Sequence, residues 1–113
     1  MRCRFPDECG TVTAEFAVVL PAVVLVLGCA LGAIALGAEQ LRLQAASFDA
    51  ARLLGRGDPG ALQRIHAVAP DARLSVRTSG DVVCADVSTS IAFGVLDGIV
   101  LNASACALND ARP

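Results

Sequence analysis

From Phe16 to Ala38 the chain reads FAVVLPAVVLVLGCALGAIALGA, 23 residues without a charged or amide side chain, bounded by Glu15 and Glu39. As an α-helix rising about 1.5 Å per residue, this run is roughly 35 Å long, enough to cross a bilayer core with some tilt. Beyond it the pattern turns amphipathic. Leu41, Ala45, Phe48 and Ala51 recur at helical spacing, with Arg42, Gln44, Asp49, Arg52 and Arg56 mostly elsewhere on the surface, so this stripe is expected to face a core. Together the two patterns predict one helix over residues 11–54, half of it in lipid and half projecting, stopped by the glycine- and proline-bearing stretch Gly55 to Gly60. Pro21 removes one helical hydrogen bond and predicts a kink, which membrane helices tolerate. Gly28, Gly32 and Ala35 or Ala38 form a small-residue stripe that reads either as ordinary membrane-helix composition or as a packing face.

After the linker, Leu62, Ile65 and Val68 share one face behind the Asp58-Pro59 start signal, which predicts a short helix over 61–68 ended by Pro70. The period then changes to two. Arg73 to Thr78 alternates Leu74 and Val76 with polar neighbours, Ser79-Gly80 can turn, and Asp81 to Ser88 carries Val82, Val83 and Val87. A loop containing Phe93, Gly94 and Gly98 is expected to lead to a third strand over 100–108. The fold class is therefore α+β: a long N-terminal transmembrane helix, a short helix, and a small three-stranded antiparallel sheet against one face of the long helix, with residues 55–113 as a small α/β region.

Composition narrows the function classes. Of 113 residues, 55% are apolar and 18% charged, too hydrophobic for disorder and suggestive of a membrane. Nine arginines stand against eleven acidic residues, with no Tyr or Trp, so neither the basic excess nor the stacking platform of a nucleic-acid binder is present. His66 is the single histidine. With no Cys/His metal spacing, no glycine-rich phosphate loop after a strand and no carboxylate pair beside a base, the chain is expected to be no enzyme, with no catalytic residue, metal or cofactor. Asp71, Asp81, Asp86 and Asp97 read as a solvated face. Asn102-Ala103-Ser104 matches the glycosylation sequon only as a frequent three-residue pattern.

The segment Gly10-Thr11-Val12-Thr13-Ala14-Glu15-Phe16 puts a glycine at the end of a short charged leader, a glutamate five residues on, and then the apolar run. It resembles the processing site of type IV prepilins, where a membrane aspartic peptidase cuts after the glycine and leaves glutamate fifth in the mature chain. Glu15-Phe16, Pro21, the Gly-Asp-Pro linker and a small C-terminal sheet with two cysteines make the chain similar to the TadE-like minor pilins (pseudopilins) of tight-adherence, Flp-type pili, particularly those of actinobacteria. The resemblance implies a pilin-like fold with residues 1–10 as leader and a transmembrane span over 16–38. It further implies removal of the leader by the prepilin peptidase between Gly10 and Thr11, and partnership with other pilin subunits, the assembly platform and the membrane. The subunit would lie single-pass in the cell membrane with its C-terminal region outside, and the assembled form in an extracellular pilus.

Cleavage after Gly10 would place an α-amino group on Thr11, four residues before Glu15 on the same helix face. Ammonium and carboxylate could then neutralise each other within or between subunits at the edge of lipid, where an unpaired charge is costly. The resemblance implies that Glu15 of an incoming subunit meets its neighbour's N-terminus and sets the axial register. A plain alternative is an acid favoured in a helix's first turn. Charge counting leaves orientation open, since Arg2 and Arg4 precede the span and Arg42, Arg52 and Arg56 follow it. Of five cysteines, Cys3 and Cys9 fall in the leader and Cys29 in the span. Cys84 and Cys106 fall in expected strands, where a disulfide would brace a small outer region, although two reduced cysteines in a cytosolic sheet remain the alternative. Three rival export readings are a lipobox at Val26-Leu27-Gly28-Cys29, a signal-peptidase site at Ala35-Leu36-Gly37, and a membrane-anchored or secreted domain that binds a surface partner without polymerising.

Overall fold

A computed structural model describes residues 6–94 and 96–110, so Met1 to Phe5 of the expected leader, Cys3 among them, lie outside the described part. Helix α1 spans Pro6–Gly55 and α2 Ala61–Val68, followed by strands β1 Arg73–Ser79, β2 Val82–Phe93 and β3 Leu96–Leu108. The α+β order expected from the sequence is the order observed. Two compact units divide the chain, one ending at Leu36 and one beginning at Gly37.

The first unit is helical from Pro6 and begins upstream of the expected Thr11. Proline suits a first helical position, because its fixed φ is helical and its missing N–H has no partner there. The helix continues unbroken through Pro21. Every residue from Gly10 to Leu31 is exposed, and the most apolar window of α1 has a mean hydropathy of 2.7 with none of it buried. The helix is thus long and apolar enough to cross a membrane.

In the second unit the three strands form one antiparallel sheet in the order β1-β2-β3. Gly80, at φ 59°, opens a two-residue turn that brings Ser79 opposite Val82, the hairpin geometry for which glycine at the first turn position is suited. Alternation then sorts the side chains. Val83, Ala85, Val87, Ala103 and Ala105 are buried, and all of them except Val83 cluster with Leu43, Ala50 and Ala51 of α1, Ala61 and Ile65 of α2, and Ala72. The core is built largely of alanines, which let helix and sheet approach closely. Gly55 shows how closely: a Cβ there would collide with the Leu108 carbonyl.

Two expectations change here. The face of α1 turned to the core is Leu43, Ala46, Ser47 and Ala50, with Ala51 beside it, whereas Leu41, Ala45 and Phe48 are exposed. The stripe read as core-facing therefore contributes only Ala51. The expected loop at Phe93 to Gly98 is instead the end of a long hairpin. Pairing continues from Val82↔Leu108 to Phe93↔Leu96, and Gly98 is the extra residue where the register shifts between Ile91↔Ile99 and Ala92↔Asp97. Glycine at φ 86° fills that bulge and glycine at φ 55° follows Phe93, so residues that punctuate a loop here serve a ribbon.

Candidate functional site

Gly10, Thr11, Glu15 and Phe16 all lie exposed on α1. The four-residue step from Thr11 to Glu15 places them one turn apart on one face. Among the described residues no ion pair reaches Glu15, and the Phe16 ring beside it is 69% exposed. A Cβ at Gly10, Gly28 or Gly32 would meet open space, so among the described residues nothing packs closely against the two glycines of the small-residue stripe. Pro21 lies within the same exposed stretch.

The second unit adds positions whose role the sequence reading had reversed. Leu41 is 73% and Phe48 50% exposed, and with the exposed Ala38 and Ala45 they step by three and four along α1. The same spacing runs back through Ile34, Leu31, Leu27, Val24 and Leu20. Such a pattern is the heptad seam by which helices pack side by side. The signal was present in the sequence, but two apolar faces compete within residues 41–51 and only the sheet decides between them.

Cys84 and Cys106 are opposite one another in the β2-β3 register and joined in a disulfide, with Cα atoms 4.0 Å apart. Cys106 is exposed and Cys84 half-buried, so the bond lies on the sheet face turned away from the core. On that face Arg77 Nε donates to Asp86 Oδ2 at 2.6 Å and Nη2 to Oδ1 at 3.0 Å. Asp86 is thus a partnered acid, not simply a solvated one. Hydrogen bonds from Arg77 and then Ser104 hold its carboxyl below the usual carboxylate range. An acid whose pKa is depressed by folding stabilises fully above its unfolded value, near about 4, and the effect is lost as pH falls through the folded value. Asp86→Asn is accordingly expected to melt slightly below the parent chain at neutral pH. That gap should close on acidification below about pH 4, in circular-dichroism melts at both pH values. A gap equal at neutral pH and pH 3 would contradict the ion-pair origin.

His66 places Nε2 3.3 Å from the Ala72 carbonyl, within the α2-to-β1 connection. Among the described residues no three His, Cys, Asp or Glu side chains gather as metal ligands.

No family model, curated protein or solved structure matches the chain. The chemistry of its own residues has to support the functional reading. That chemistry consists of an exposed acid at the start of an apolar helix, an apolar seam, and a disulfide-braced sheet.

Proposed function

We propose that the chain is a minor-pilin-like subunit of a tight-adherence type IV pilus. The prepilin peptidase cuts between Gly10 and Thr11, the subunit rests in the cell membrane with the unit from Gly37 outside, and assembly moves α1 from lipid into the fibre. Glu15 meets the α-amino group of a neighbouring subunit, and Phe16 follows it into the packed helices. The observation that favours this reading is the exposed apolar seam at Leu41, Ala45 and Phe48. A membrane anchor needs apolar residues only as far as Ala38, so a seam ten residues longer calls for another helix as its cover. Because one apolar helix surface suits both lipid and a helix bundle, the transfer demands little beyond shape and the pairing of Glu15. The disulfide agrees with an outer, oxidising compartment.

N-terminal sequencing of the mature chain from its native host, with and without the prepilin peptidase, tests the proposal. The expected result is a start at Thr11 that depends on the peptidase. An intact Met1 in both strains, or a start at Cys29 or Ala38, would overturn it in favour of an anchored, lipidated or secreted domain that never polymerises.

A further inference from the structure

Within the unit beginning at Gly37, α1 is closed on one flank and open on the other. Gln40 Nε2 donates to the Asn102 carbonyl at 2.7 Å and Gln44 Nε2 to the Ser104 carbonyl at 2.9 Å, which ties β3 along the helix. On the other flank α2 lies beside α1, joined to it by an ion pair between Arg64 Nε and Asp49 Oδ2 at 3.6 Å. Two hollows of about 450 and 300 Å³ open between the helices, and Asp49 and Arg64 line both, so the two make one groove. From Arg42 to Arg56 it follows α1 for roughly 20 Å, or about four helical turns.

Floor and rim differ in chemistry. Ala45, Ala46, Ala67 and Val68 line the wider hollow. Three of them end at Cβ, which leaves room for apolar side chains from outside, and Val68 is 43% exposed. Arg42, Arg52, Arg56 and Arg64 stand along the rim. Arg42 pairs with Glu39 and Arg64 with Asp49, while Arg52 and Arg56 take part in none of the ion pairs among the described residues. Four guanidiniums against two carboxylates leave the groove positive on a chain whose net charge is -2. The negative end of the α1 dipole accommodates Arg52 and Arg56, but it gives no reason for Arg64 of α2 to line the same hollow. Like charges one turn apart, as Arg52 and Arg56 are, also oppose helix formation. The positive excess is therefore a cost to the fold that an acidic ligand would remove.

The floor selects among acidic ligands. A phosphate polymer would pair with the rim and leave the alanines and Val68 in water. A helix with one apolar stripe and carboxylates on either side of it meets floor and rim together, as amphipathic helices do in apolar grooves, and the guanidinium fork matches a carboxylate. We propose that the α1-α2 groove is the docking site for an acidic amphipathic helix of about four turns from a partner protein. The groove lies wholly within the unit beginning at Gly37, so the proposal stands apart from the processing and assembly of the chain as a pilin.

The probe is a fluorescein-labelled helical peptide of about 14 residues, made of leucine, alanine and glutamate with the leucines in one stripe. It is titrated with the full chain in uncharged detergent micelles and read by anisotropy. The striped peptide is expected to bind at least about tenfold more tightly than a scrambled peptide of the same composition. Arg56→Gln with Arg64→Gln, both at exposed positions, should weaken binding at least about fivefold while the circular-dichroism melt stays near the parent's. Phe48→Ala, on the separate seam, should leave binding unchanged. Equal affinity for the scrambled peptide, or affinity unmoved by the double arginine variant, would overturn the proposal, as would a dissociation constant weaker than about 1 mM. Tighter binding of inorganic polyphosphate than of the striped peptide would make the groove a phosphate site instead. An oligomer of the unliganded chain that the double arginine variant dissolves into monomers would place a second copy in the groove, which also overturns the partner helix.

Discussion

A subunit carrying Leu41→Asp together with Phe48→Asp is expected to fold, insert and be processed as the parent does, yet to enter fibres at least about tenfold less efficiently. Both side chains are largely exposed in the isolated chain, so the folded subunit loses little when they change. In a helix seam each would bury an apolar side chain, an interaction of about 1.5–3 kcal/mol, and a carboxylate placed there without a partner would cost more. Every 1.4 kcal/mol is about tenfold in an equilibrium, so one such loss is enough for the expected effect. Immunoblots of sheared fibres against the membrane fraction read the distribution directly. Parental incorporation of the double variant would remove the seam from the assembly mechanism.

The second large effect lies in the core of the outer unit. Ile65 is fully buried and is the one large side chain that α2 buries, beside the small Ala61. With alanines supplying much of the rest of the core, few other bulky side chains fill the space between helix and sheet. Ile65→Ala is expected to cost about 2–5 kcal/mol, a large share of the ~5–15 kcal/mol that holds a domain folded. At about 4–8 °C per kcal/mol for a domain of this size, the melting temperature should fall by at least about 8 °C. Leu62, one turn away and 46% exposed, supplies the control. Leu62→Ala should shift the melt much less, and equal shifts in the two variants would mean that α2 is not held through Ile65.

Local chemistry made some elements legible and tertiary packing hid others. The bounds of α2 follow from Asp58-Pro59 and Pro70, and the β1-β2 hairpin from alternation around Gly80. The apolar run announces a long helix by length alone. The face of α1 turned inward could not be read in the same way. Hydrophobicity ranks Leu41 and Phe48 above Ala46, Ser47 and Ala50, but a sheet lined with Ala85, Ala103 and Ala105 accepts small side chains, and close approach decides the matter. The long hairpin was obscured because Gly94 and Gly98 look like loop residues until the bulge gives Gly98 a place in the register. The Glu15 segment reads as a motif because the chemistry it suggests is local, and its role stands as part of the proposal. Gln40 and Gln44 carried no visible signal, because their role depends on where β3 lies.

Those two glutamines also bear on how copies of the chain can associate. Their amides occupy carbonyls of β3 that would otherwise be available to an added strand, while the seven-residue β1 forms the other margin with Arg73 and Arg77 along it. Uncapped sheet margins invite uncontrolled strand addition and aggregation, and short, charged ones discourage it. On the proposed function, a chain that polymerises along a helix must suppress the competing route through its sheet. Capping one margin and charging the other would keep growth to one geometry.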